Sequence, residues 1–153
     1  MTGAPMDKAE QKALADIATY GWHCINVQED AEGPGFAYTV GFNRTFGHPE
    51  VILFGLSPEV MHGLLDRIAG RIRSGHSHLA GESYWGIATE FQCHFLAVPE
   101  GRQSAYVGWA RWYYKDEPFD LLQCTWPDRN GRFPWEADAS QVVRNRQPIL
   151  HTP

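Results

Sequence analysis

The residues best suited to chemistry lie close together in one short link, at Arg44, His48 and Glu50. An imidazole near a guanidinium and a carboxylate has the parts for acid–base work or for holding an anion. Gly47 permits a turn just before His48, and Pro49 after it holds the His48 backbone extended. In the plainer reading, Gly-His-Pro is a rigid turn whose imidazole caps a backbone carbonyl, the usual role of a histidine with no partner in view. Tyr38, Arg44, His48 and Glu50 are the candidate catalytic residues. A ligand pocket would draw on Tyr38 and His48, with Trp112, Trp126, Asp128 and Arg129 from further along the chain.

Other groupings carry less. His76 and His78 form a His-x-His pair in a loop rich in Gly and Ser, and His62 and His94 are further donors. A metal site needs a third and usually a fourth ligand, and no spacing ties these four histidines together. Neither an H-E-x-x-H nor a CxxC pattern is present, so no metal is predicted and a His-ligated metalloprotein is the third-ranked reading. His62 and Asp66, one helical turn apart, read as a surface contact. His23–Cys24 and Cys93–His94 are not dyads, because neighbours on a strand point to opposite faces. Asp128 accepts backbone amides in a turn or pairs with Arg129. Phosphate loops and the GxSxG elbow are absent. A flavin finds no phosphate-binding signature, and no cofactor is predicted.

The elements that must position these residues follow from periodicity. Residues 36–42 and 51–56 are short runs rich in β-branched and aromatic residues, bounded by Gly, Asn or Pro, which marks strands. The second is apolar except at Gly55, as a strand covered on both faces is. In the first, Phe36, Tyr38, Val40 and Phe42 point one way and the small Ala37, Thr39 and Gly41 the other, a face suited to a close-packed helix. Residues 7–20 read as a helix stopped at Gly21, and 22–28 as a strand joined to 36–42 by an acidic hairpin tip. Ser57 and Pro58 open the clearest helix, with Met61, Leu64, Leu65, Ile68 and Ile72 on one face and Arg67, Arg71 and Arg73 toward water. Residues 87–98 read as the longest strand and 104–115 as a second good helix with Trp109, Trp112 and Tyr113 on one side. Residues 119–126 are the last strand, and 127–131 a turn. The pattern fades from 136 to 153, a loosely held tail.

These segments predict one α+β domain over 1–135: a mainly antiparallel sheet of about five strands with three packed helices, and a tail over 136–153. The chain has 153 residues, 43% of them hydrophobic, with a net charge of −5. A domain of this size buries roughly 70% of its unfolded surface, enough for a core without staples. The acidic balance argues against nucleic acid, which needs a concentrated basic face. No apolar run approaches the roughly 18 residues that span a bilayer, and the N-terminal stretch lacks the apolar block of a leader. A cytoplasmic protein with three reduced cysteines is expected.

Two stretches carry a resemblance. AYTVGF…FGHPEVILFGL with the helix after it, and LLQCTWPDRNGRFPW, are similar to the bacterial family known only as domain of unknown function 4262. The resemblance runs from about Gly21 to Trp135. The family pattern maps onto Tyr38, Gly41, Gly47, His48, Pro49, Glu50 and Gly55, then Trp126, Pro127, Asp128, Gly131, Phe133, Pro134 and Trp135. An acid often stands in the family's link where this chain has Arg44-Thr45, so the charges around His48 are not fixed across it. The resemblance implies a small cytoplasmic bacterial protein, with some relatives among natural-product biosynthesis genes, and no activity. The leading expectation is a small-molecule pocket protein, an enzyme or accessory protein, followed by a non-catalytic module that forms a homodimer on its aromatic helix.

Overall fold

The computed structural model of the chain describes residues 7–151. The first six residues of the stretch read as lacking a leader, and the last two of the tail, lie outside the described residues. Asp7 caps the first helix, α1 (Lys8–Tyr20). Its carboxylate accepts the Glu10 N–H, and the Glu10 side chain accepts the Asp7 N–H in return, satisfying two donors that helix bonding leaves over. Strands β1 (His23–Val27) and β2 (Phe36–Val40) then form an antiparallel hairpin with His23 opposite Val40.

Here the chain departs from the expected strand to residue 42. Gly41 takes φ +118°, and a Cβ there would sit 2.7 Å from the Gly21 carbonyl oxygen, so only glycine makes this corner. The corner starts a short helix, α2 (Phe42–Phe46), inside the link read as a loop. Phe42 consequently leaves the face of Tyr38 and joins the core on the opposite side of the sheet.

After α2 come β3 (Glu50–Phe54) and α3 (Pro58–Arg73), the latter capped by the Ser57 hydroxyl, which accepts the Val60 N–H at 3.3 Å. The remaining elements are β4 (Ser83–Tyr84), β5 (Cys93–Ala97), α4 (Glu100–Gln103), α5 (Gly108–Tyr113), β6 (Leu121–Thr125) and α6 (Gln141–Arg146). Among the described residues, six strands make one sheet in the order β1-β2-β3-β6-β5-β4. β3 and β6 run parallel, with Glu50 opposite Leu121; the other neighbours are antiparallel. The class is α+β as expected, but the sheet is mixed, and the described residues form six strands and six helical segments where five and three were expected. The connection from β3 to β6 contains α3, β4, β5, α4 and α5, and a parallel neighbour needs such a long crossover.

β3 and β6 are buried along their whole length, as the apolar run at 51–56 predicted for its strand. α3 packs on the small face of β2, placing Met61, Leu65, Ile68 and Ala69 with Ala37, Val51, Leu53 and Phe95. The opposite face holds Tyr38, Val40, Ile52 and Phe54 under Val107, Ala110 and Tyr114.

Three further expectations are corrected. Of residues 87–98 only Cys93–Ala97 is strand; Ile87 and Ala88 are buried, but their backbone bends instead of joining a ladder. The helix expected over 104–115 is shortened to α5, because residues 104–106 form a turn and Val107, at φ −110° and ψ 50°, is buried in the core outside helical geometry, while Tyr106 stands edge-on to Phe36 and Phe54. The stretch after residue 136 is packed on the sheet. Val143 and Leu150 are buried, and two buried glutamines hold it by paired hydrogen bonds: Gln123 with Pro148 O and Leu150 N, and Gln147 with the N–H and carbonyl of Trp126.

Candidate functional site

His48 stands at the start of β3, and its ring is almost wholly buried. Its Nδ1 lies 2.8 Å from the Pro49 carbonyl, which only accepts, so Nδ1 carries the proton. Its Nε2 accepts the backbone N–H of His78 at 3.2 Å and faces His78 Nδ1 at 3.1 Å. The far nitrogen of His78, Nε2, accepts Arg71 Nε–H at 3.0 Å. The donors and acceptors therefore run in one direction: Arg71 to His78, His78 to His48, His48 to Pro49 O, with both imidazoles neutral. Burial lowers both rings from the ordinary histidine value; for His78, to about 3, where competition with His48 for a proton and the Arg71 guanidinium lower it further. The His78 ring lies between Tyr84 and Phe95, at centroid distances of 5.0 and 5.2 Å.

Arg71 was expected to face water. Instead its guanidinium turns in toward His78 and over the Tyr84 ring at 5.9 Å. Gly86 makes room for it, since a Cβ there would sit 2.6 Å from Arg71 Nη1. His76, by contrast, is exposed and its ring meets the Arg71 carbonyl, so the two loop histidines part.

Glu50 points away from His48. Its carboxylate is wholly buried and accepts the Thr39 hydroxyl at 2.7 Å, the N–H groups of Gly41, Phe42 and Asn43 at 3.2, 3.1 and 3.0 Å, and the Tyr114 hydroxyl. Burial pushes this carboxyl up from its ordinary value, and the donors pull it back. These bonds explain why the link opens with a helical turn: Glu50 satisfies amides that a five-residue helix leaves unpaired. Arg44 lies over the rings of Tyr113 and Tyr114, at 4.8 and 5.5 Å.

The structure divides the sequence-predicted site residues among several places. His48 and His78 line a cleft of about 710 Å³ where the parallel pair β3 and β6 begins, and Ala97, Gln103, Asp120 and Leu121 complete its wall. Tyr38 is in the core of the other sheet face, its hydroxyl accepting the Trp109 N–H at 3.1 Å and pushed up to about 12 by burial. Trp126, Asp128 and Arg129 line a separate groove of about 870 Å³. Asp128 is a turn residue there, with Oδ1 accepting the Asn130 and Arg132 amides and Oδ2 the Ser140 amide. Trp112 is exposed on α5 beside Trp109. His94 meets the Ser83 hydroxyl at 2.7 Å, and His62 stands edge-on to Trp22. Among the described residues no three His, Cys, Asp or Glu side chains converge as metal ligands. The three cysteines are free thiols, and no described helix is long and apolar enough to cross a membrane.

The sequence did not single out Arg71, Thr39 or Tyr114 for this site. It also missed a carboxylate–imidazole pair elsewhere, Asp16 Oδ2 to His23 Nδ1 at 2.7 Å. Each pairing joins separate elements, and no local spacing signals it.

The molecule is thus an α+β sheet protein with a histidine-walled cleft where the parallel pair β3 and β6 begins. The chain belongs to the family described as Domain of unknown function (DUF4262), whose model matches residues 16–140. Neither a curated protein nor a solved structure matches it.

Proposed function

We propose that the chain is a small-molecule pocket protein whose ligand sits in the cleft between His48–His78 and the ends of β5 and β6. The observation that carries this reading is the hydrogen-bonded chain Arg71–His78–His48–Pro49 behind the cleft wall. A buried polar chain in which every ring nitrogen has a partner fixes its side chains in one arrangement. A rigid wall of that kind lowers the ordering cost of binding. Leu79, Phe119 and Leu121 offer apolar surface in the same cleft, with Asn43, Ser77 and Asp120 as polar groups. A few polar groups on an apolar wall suit an organic ligand.

His48 helps to hold the cleft wall in this reading. Both of its nitrogens are engaged, so proton transfer to a ligand would first require His78 to move. The experiment is native mass spectrometry of the untagged protein after incubation with a small-molecule extract of the expressing cell. The expected result is a non-covalent adduct that is lost on Ala97→Trp, which fills the cleft, and kept on Arg129→Ala in the other groove. An adduct that survives Ala97→Trp, or no adduct at all, counts against the assignment.

A further inference from the structure

A second concave surface lies at the β1 edge of the sheet. Helix α1, strand β1 and α3 line a groove of about 630 Å³. Among the described residues β1 pairs only with β2, so this groove runs along a sheet edge. The Asp16–His23 pair stands at its wall. The Asp16 carboxylate is shared, with Oδ1 bound to Lys12 Nζ at 2.7 Å and Oδ2 to His23 Nδ1 at 2.7 Å. An ionised carboxylate only accepts, so it fixes the proton on Nδ1. The Nε2 of His23 is left as the second ring nitrogen, and among the described residues it has no hydrogen-bond partner.

Charge in the groove is unevenly committed. Lys12 is taken up by Asp16. Arg73 donates to the Tyr20 carbonyl and lies over the Phe46 ring at 5.3 Å. Glu59 and Asp66, at i and i+7 on α3, line the groove and make no ion pair among the described residues. Tyr20, an exposed aromatic, and Pro58 supply apolar surface in the same groove. Cys24 also borders the groove, but burial pushes its thiol up to about 11, so it remains a neutral side chain.

We propose that this groove is a second small-molecule site, independent of the His48–His78 cleft, and that it takes an organic ammonium with an apolar body. The ammonium N–H donates to His23 Nε2, Glu59 and Asp66 face its charge, and the apolar body lies along Tyr20 and Pro58. An aromatic surface beside carboxylates is the usual setting for such a cation. Asp16 is a positioning residue: it touches no ligand and holds the His23 ring in the tautomer that accepts.

The test is an amide NMR titration of the full chain with phenethylamine, with phenylacetate as the anion of similar shape. Saturable shifts at His23, Glu59 and Asp66 are expected with the amine and none there with phenylacetate. His23→Gln, and separately the exposed pair Glu59→Gln with Asp66→Asn, should each weaken the amine at least about tenfold, as the loss of one charge-assisted hydrogen bond does. Asp16→Asn should change the His23 ring nitrogen shifts, the signature of an altered tautomer, which a merely structural role for Asp16 would not produce. The proposal is overturned if phenethylamine leaves the groove amides unmoved, if phenylacetate binds there equally well, or if the variants bind the amine as the parent does. Shifts confined to the His48–His78 cleft overturn it too, while leaving the proposed function standing.

Discussion

The Tyr114 hydroxyl, at the end of α5, donates to the carboxylate of Glu50 at the start of β3, across 64 positions of sequence. The same hydroxyl accepts the Arg44 N–H at 3.3 Å, so one side chain joins the α5 layer, the α2 turn and the central strand. Glu50 is therefore the fastener of the link that carries His48. Its burial would be costly alone, and its five donors make it tolerable.

Glu50→Gln should accordingly destabilise the fold by about 3 kcal/mol, because the amide turns an NH₂ toward donors that lose their acceptor. Tyr114→Phe should cost less, about 1–2 kcal/mol, since the carboxylate keeps four partners. Urea unfolding with an unchanged slope measures both. A Glu50→Gln protein with the parent's midpoint would show that the carboxylate is not what holds the link.

The central strand β3, the α3 helix and the place of His48 beside a strand end were all legible in the sequence. Each depends on local pattern: a run apolar on every side, a Ser-Pro cap, a Gly-His-Pro turn. The role of Glu50 was not legible, because it takes Thr39 from one strand and Tyr114 from a helix far along the chain. The same holds for Arg71, whose spacing on α3 puts it on the polar face while its side chain reaches back to His78. Residues 87–92 keep a strand's alternation, yet Ile87 and Ala88 are buried without ladder partners. Residues 104–115 carry aromatics all round, and periodicity does not reveal that Val107 must leave helical geometry to fill the core.

The histidine pair gives the stability a definite pH dependence. His48 and His78 are neutral in the fold, their protonation lowered chiefly by burial, while in the unfolded chain they take up protons near the ordinary histidine value of 6.5. The unfolded state thus binds more protons below that value, so stability falls as pH falls. The full contribution is present above about pH 6.5, and the loss for His78 continues toward its folded value of about 3. The His78 imidazole contributes a slope approaching about 1.4 kcal/mol per pH unit within that window, and His48 adds in the same direction. Unfolding midpoints between pH 7 and pH 5 should show the slope, and His78→Asn should reduce it. A variant with the parent's slope would mean that other groups set the acid response.

Gly86→Ala tests the anchor of that pair without touching either ring. Gly86 has φ +92° and its missing Cβ leaves the space that Arg71 Nη1 occupies. Alanine there is strained in its backbone and presses on the guanidinium. The expected cost is about 1–3 kcal/mol. Arg71→Met leaves the glycine alone and removes the donor to His78 Nε2. It should also make the fall of stability with pH shallower, because without the Arg71 charge His78 takes up a proton in the fold more readily and differs less from the unfolded chain. If Arg71→Met keeps the parent's slope, Arg71 does not control the His78 proton.

The C-terminal stretch yields the last prediction. A loosely held tail tolerates substitution, whereas Leu150 is fully buried with Tyr38, Ile52 and Phe54. Leu150→Ala leaves a cavity against the central strands and should cost about 2–4 kcal/mol. Gln123→Leu removes the side chain that bonds both Pro148 O and Leu150 N, and leaves the buried Leu150 amide without its acceptor at about 1–3 kcal/mol. The two losses should fall short of additive in the double variant, because both act by releasing one segment from one strand. Strict additivity in urea unfolding would mean that Leu150 and Gln123 hold the stretch independently, and that releasing either leaves the other contact intact.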